Sequence, residues 1–285
     1  MVFVARSQDF GVDYSRCAKG FGGRMKANSG LPSFQVLGLR VDAVQMPEVV
    51  ARLRAWIDHR GSVARYVAVT AMHGVAEARQ NKDFRQMVNA ADLVVPDGMP
   101  LIWLARVKGH ALERRVCGSE VMEAFCRATG GDYRHFFYGG SPGVAERLAC
   151  ALREKHGIAV AGTFTPPFRP LTEAEEEELA RFVEEASPDV LWVGLSSPKQ
   201  EAWMFGHREK LKVPVMLGVG AAFDMNSGSL RRAPAWMRDC GLEWLYRLCS
   251  EPRRLWKRYL ITIPAAVCFA CLELLGFRGL VREQN

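Results

Sequence analysis

The stretch HFFYGGSPGVAERLACALREKHGIAVA, residues 135–161, decides the fold. His135 to Tyr138 is an apolar run that stops at Gly139 and Gly140, Val144 to His156 carries apolar residues at helical spacing, and Ile158 to Ala161 is apolar again. Strand, tight turn, helix and strand in succession make a crossover unit, the connection that joins parallel neighbours in one sheet. Ser141 reads as the helix N-cap and Pro142 as the first helical residue.

The same rhythm extends both ways. Upstream, Val36 to Val41 is a short apolar run, Met46 to His59 has helical spacing, and Tyr66 to Val69 is extended and ends at Thr70. Ala76 to Ala90 reads as one helix, Asp92 to Val95 as extended, and Met99 to Arg106 and Glu120 to Thr129 as helices. Downstream come an acidic helix over Thr172 to Ala186, a strand over Val190 to Gly194, a helix over Pro198 to Lys210 and a strand over Val213 to Val219. Apolar strands alternating with amphipathic helices predict an α/β fold, a mostly parallel Rossmann-like sheet flanked by helices. After Gly220 the rhythm stops.

Residues 231–285 read as successive helices rich in Arg and Trp, a helical basic C-terminal appendage. Residues 1–33, with glycines and scattered basic residues but no periodicity, read as a flexible lead-in, which leaves 34–230 as the α/β core. Tyr259 to Leu275 is apolar apart from Thr262 and Glu273. It falls short of the ~20 residues of a spanning helix and contains Pro264, so it suits a membrane interface better than a crossing.

Composition narrows the function class. With 49% hydrophobic and 24% charged residues, the 285-residue chain is neither disordered nor wholly membrane-embedded. A net charge of +7 calls for an anionic partner, and the excess concentrates in the tail, where Arg247, Arg253, Arg254, Lys257 and Arg258 lie among Trp244, Trp256 and Tyr259. Arg247, Arg254 and Arg258 would share a helix side but for Pro252, which forces a break. Guanidinium groups grip phosphate, and aromatics interleaved with an apolar run fit a lipid headgroup zone better than nucleic acid. A solvated basic helix with its Trp residues packed on the core remains the other reading. The apolar tail also leaves burial against a neighbouring subunit open, hence a homo-oligomer.

Met1 to Phe10 contains Arg6, Gln8 and Asp9 and no apolar run, so a cytoplasmic protein is expected. The eight cysteines are scattered and read as reduced; Cys268 and Cys271 have no second pair to complete a zinc site. There is no Asp-x-Asp, His-Glu-x-x-His or Gly-Lys-Ser/Thr, so metal-free chemistry is expected.

In open α/β sheets ligands bind beyond the carboxyl ends of the strands, which directs attention to the residues that end each apolar run. Asp97, after Leu93-Val94-Val95-Pro96, is placed to take a proton from an attacking hydroxyl, although Pro-Asp-Gly is also an ordinary turn. Gly139 and Gly140 let backbone N–H groups approach a diphosphate, although such turns also use Gly without any ligand. Ser197-Pro198-Lys199-Gln200 has the form of a capping box, which would occupy Gln200; Lys199 at a helix start suggests a bound anion. His73 begins a helix and reads equally as a buried or a site histidine.

Val69-Thr70, Ala91 to Gly98, Phe137 to Gly140, Pro198-Lys199-Gln200-Glu201, Gly218 to Asp224, Arg232-Ala233-Pro234, Gly241 to Leu248 and Glu251-Pro252-Arg253-Arg254 resemble, in order, the WecG/TagA/CpsF glycosyltransferases. The resemblance runs from about Phe34 to Leu275. It implies inverting, metal-independent transfer from a UDP-sugar, with no cofactor, to a polyprenyl-diphosphate-linked saccharide at the inner face of the bacterial membrane. The products are surface polysaccharides, and donors in the family include N-acetylmannosamine, its uronic acid and glucose. Carried over by position, Asp97 is the base, Thr70 a neighbouring catalytic hydroxyl and Gln200 a substrate contact. Arg247 and Arg254 reach the diphosphate, with Arg258 beside them. Members often have Asn two positions after the threonine; here Met72 and His73 follow Ala71, so sugar contacts on this loop differ. Gly139, Gly140 and Lys199 are assigned to the donor and His73 to substrate. The alternative is a non-catalytic nucleotide-sugar-binding protein at the membrane surface.

Overall fold

The computed structural model describes residues 30–276. The lead-in expected over 1–33 therefore lies almost wholly outside the described residues, as does the tail beyond Gly276.

The sheet is six-stranded and wholly parallel. Its strands are β3 (Arg65–Thr70), β4 (Leu93–Pro96), β5 (Arg134–Gly139), β6 (Ala159–Phe164), β7 (Val190–Gly194) and β8 (Val215–Gly218), in the order β4-β3-β8-β7-β5-β6. Alternate residues of each strand feed two apolar layers. Tyr66, Ala68, Val94, Tyr138, Leu191 and Met216 lie in one, and Val67, Leu93, Val95, Phe137, Trp192 and Leu217 in the other. Both faces are covered, which is why the strands read as continuous apolar runs. The α/β expectation holds.

Local departures have physical causes. The run Val36 to Val41 is two antiparallel strands, β1 (Ser33–Val36) and β2 (Leu39–Asp42), turned at Leu37 and Gly38 with φ of 51° and 82°. Positive φ at both central residues makes the tight turn whose twist matches a hairpin. Buried Asp42 ties the hairpin to the sheet by accepting the Val94 amide at 2.8 Å. After α1 (Met46–Asp58), the single helix expected over Ala76 to Ala90 is two, α2 (Met72–Gln80) and α3 (Lys82–Asn89). Asn81 between them is extended, and its side chain accepts the Phe84 amide at 3.0 Å. Next come α4 (Met99–Val107) and α5 (Gly118–Thr129), then α6 (Val144–His156), which starts at Val144 and not at Pro142. The cap position belongs to Gly143, with φ 78°, and Ser141 contributes its carbonyl, which accepts the Val144 amide. The acidic helix α7 (Glu173–Ala186) begins in a reciprocal capping box between Thr172 and Glu175 and buries Leu179 and Val183.

Beyond α8 (Lys199–His207) and α9 (Ala222–Asn226) the appendage forms α10 (Ala235–Asp239), α11 (Glu243–Ser250), α12 (Pro252–Lys257), a π turn (Arg258–Thr262) and α13 (Ile263–Leu274). The break forced by Pro252 separates α11 from α12. The last helical stretch is longer than its composition implies: the π turn joins α12 to α13, giving 20 helical residues, Leu255–Leu274, long and apolar enough to cross a membrane by length and composition. It is nonetheless docked. Ala266 and Ala270 are buried, Phe269 lies under the Arg79 guanidinium at 3.6 Å, and Glu273 accepts the Leu37 amide at 2.7 Å and meets Lys108 at 3.6 Å. The outward face shows Leu260, Ile261, Pro264, Cys268, Cys271 and Leu275.

Candidate active site at the carboxyl ends of the strands

A cavity of about 500 Å³ opens where β3, β4, β7 and β8 end. The core lines it with Asp97, Cys117, Ser119, Lys199, Gln200 and the α2 face His73, Glu77 and Gln80, and the appendage closes it with Arg247, Leu255, Lys257 and Thr262.

Asp97 is held from behind. Its amide donates to the Thr70 carbonyl at 2.8 Å, the Pro96 carbonyl accepts the Val116 amide at 2.9 Å, and Gly98, at φ 107°, turns the chain straight into α4. The carboxylate is 28% exposed, toward the cavity, and accepts a hydrogen bond from Arg115 at 3.2 Å. Burial lifts the Asp97 carboxyl above the ordinary carboxylate range, and the Arg115 guanidinium pulls against that lift without cancelling it. The result is an ionisable base with a raised proton affinity.

Gln200 is buried, with its Nε2 donating to Glu201 at 3.1 Å and its Oε1 without a hydrogen-bond partner. The capping box with Ser197 does not form: Pro198 takes the cap position of α8, and the Gln200 amide donates to the Ser196 carbonyl at 3.1 Å. The side chain is thus left to the cavity. An unpaired buried carbonyl oxygen is costly unless a ligand hydroxyl meets it. Beside it Ser196 is held at φ 63°, a strained conformation for serine, opposite Gly220.

Thr70 does not line the cavity. Its side chain is buried against Gly74, so its described contribution is the carbonyl that holds Asp97. Gly139 and Gly140 also lie outside the lining, and their glycines answer to packing. A Cβ on Gly139 would sit 2.7 Å from the Gly194 backbone, and one on Gly140 3.2 Å from Val144. The Gly140 N–H donates to the Gly194 carbonyl at 3.1 Å, so it is not offered to a diphosphate.

Lys199 is exposed at the rim, His73 begins the α2 face, and Arg247 reaches in from α11 with its buried Nε unpaired and its nearest acid, Glu251, at 3.8 Å. The side chains of Arg254 and Arg258 lie outside the described residues. Two residues that spacing arguments missed are central: Arg115, between α4 and α5, bridges Asp97 to Glu243 at the start of α11. Nearby, Glu120 accepts from Arg232 at 2.9 Å and from Arg238 at 3.0 Å, fastening the front of the appendage. A loop arginine carries no periodic signal; its lack of one, between two well-patterned helices, was the available clue.

Comparison with known proteins gives the family of the chain. The model of the glycosyl transferase WecG/TagA/CpsF family matches residues 34–279. The N-acetylglucosaminyldiphosphoundecaprenol N-acetyl-beta-D-mannosaminyltransferase of Bacillus spizizenii is 31% identical over 193 residues, 67% of this chain and 72% of the relative. The protein of the same name from Staphylococcus aureus (strain MRSA252) is 24% identical over 236 residues, covering 82% and 89%. The match takes in both the sheet and the appendage that roofs the cavity, and the chain belongs to the WecG/TagA/CpsF family of glycosyltransferases.

Proposed function

We propose that the chain transfers a sugar, with inversion, from a UDP-sugar to a saccharide carried on a polyprenyl diphosphate, working from the inner face of a bacterial membrane. The observation that carries this reading is a carboxylate, largely buried but open to the cavity, that shares the cavity with cationic residues of the appendage. The relatives' names supply the class of acceptor.

A single displacement needs one base and cationic groups facing the departing diphosphate, which gains negative charge. Asp97 takes the acceptor hydroxyl's proton as that oxygen bonds to the anomeric carbon, and the bond to UDP breaks with its electron pair leaving on the phosphate. A positioned base contributes roughly 10²–10⁴-fold. Lys199, Arg247 and Lys257 line the cavity to balance the diphosphates of donor and acceptor, with Arg254 and Arg258 assigned to the acceptor by their place in the family pattern. Gln200 Oε1 accepts from a sugar hydroxyl, and His73, which also lines the cavity, contacts substrate. The outward apolar face of α13, with the cations before it, rests in the headgroup zone beside the lipid-linked acceptor.

The test is UDP release from a panel of UDP-sugars, with a short-chain polyprenyl-diphosphate N-acetylglucosamine acceptor and EDTA present. The expected result is acceptor-dependent release from one donor, an inverted anomeric centre by NMR, and a loss of roughly 10²-fold or more in a correctly folded Asp97→Asn. Comparable activity in that variant removes Asp97 as the base. Tight UDP binding without turnover of any donor returns the non-catalytic reading.

A further inference from the structure

We propose that Glu243 is a positioning residue for Asp97, acting through Arg115. The Arg115 guanidinium spans two carboxylates, donating from Nη1 to Asp97 Oδ1 at 3.2 Å and from Nη2 to Glu243 Oε2. Arg115 and Glu243 are nearly withdrawn from water, at 13% and 11% side-chain exposure. A guanidinium is a rigid planar fork, so holding one nitrogen orients the other. Asp97 belongs to the core and Glu243 to the appendage. The appendage thereby reaches the reacting carboxylate through a side chain that need not touch substrate itself. This inference rests on the reading of Asp97 as the base.

Sharing the guanidinium sets basicity. A carboxylate with an arginine to itself is a weak base, because the ion pair favours its charged form. A second carboxylate on the same guanidinium adds its own negative charge and returns proton affinity to the first. At Asp97 burial raises the proton affinity, Arg115 lowers it, and Glu243 and Glu120 of α5 raise it. Among the described residues, the remaining charged or titratable groups on the cavity wall are Cys117, His73 and Glu77 of α2, Lys199 of α8, Arg247 of α11 and Lys257 of α12. Burial pushes the Cys117 thiol up to about 11, so it is uncharged at neutral pH. Among these groups Arg115 is the one bonded to Asp97, and Glu243 is the one that divides it.

The experiment titrates Asp97 in the full chain by ¹³C-carboxyl NMR of labelled aspartate, the resonance assigned by its loss in Asp97→Asn, beside pH profiles of kcat/KM. In Glu243→Gln the midpoint for Asp97 should fall by about half to one pH unit. The acid limb of kcat/KM should move down with it, and the plateau should drop about two- to threefold as the base weakens. Glu243→Asp keeps the charge but draws it back by one methylene, and should give a smaller shift of the same sign; it also serves if the glutamine variant does not fold. An Asp97 titration unmoved in the folded variants overturns the proposal, even if activity falls equally at every pH, since that is what a residue that only fastens the appendage would do. An Asp97 midpoint that moves while the acid limb stays put upholds the positioning and removes Asp97 as the base.

Discussion

At Gly139 the backbone of β5 passes so close to β7 that a methyl group would meet the Gly194 carbonyl carbon and oxygen at 2.7 Å, with φ at 117°. Both overlap and backbone strain oppose any side chain there, so Gly139→Ala should cost about 3 kcal/mol and lower Tm by roughly 5–10 °C in a thermal melt. A ligand role alone would leave Tm unchanged. The glycine pair was legible as a break at a strand end, whereas the close approach of β5 to β7 was not, because one turn sequence serves both close packing and phosphate binding. Asp97 was legible for a better reason: a carboxylate directly after a buried strand projects where ligands bind, whatever the loop does next. Arg115 was not legible, since its partners are Asp97 and a glutamate more than a hundred residues away, and no spacing rule links them.

Elements were legible wherever periodicity extends over several turns and ambiguous where a short side chain decides a boundary. The sheet and its covering helices follow from apolar runs too long to be exposed. The α2–α3 break does not, because Gln80-Asn81-Lys82 holds neither glycine nor proline and an uninterrupted helix is locally acceptable there. The separation is maintained by Asn81, whose side-chain Oδ1 caps α3 by accepting the Phe84 amide. Asn81→Ala should therefore cost about 1 kcal/mol in denaturant unfolding, with an unchanged m-value. A stability equal to the parent's would mean that the break is imposed by packing alone. The hairpin turn shows the same limit: Leu37 adopts positive φ, which leucine does not announce.

For the molecule as a whole, the charge of the tail was visible in composition, while its attachment was not. Attachment depends on Glu120 under Arg232 and Arg238, on Arg115 against Glu243, and on Glu273 against the first hairpin, each a pairing between residues more than a hundred positions apart. What docking leaves uncovered is apolar: Leu260 is 59% exposed, Ile261 43% and Leu275 72%. Replacing these three with Gln should weaken binding to anionic vesicles by roughly tenfold or more in co-sedimentation, since each loses favourable burial in the bilayer surface. UDP binding should survive, because none of the three lines the cavity. Equal sedimentation of parent and variant would assign that face to another subunit.

Arg247, Leu255, Lys257 and Thr262 roof the cavity, and all of them come after the last strand of the sheet. The sheet is complete in the chain before any of the roof has been made, so during synthesis the chamber stays open to water until the helices after β8 fold back over it. A chain cut short after β8 would hold a complete sheet and no enclosed site. Enclosure of the site thus depends on helices made after the sheet, and a product cut short between the two has no roofed chamber.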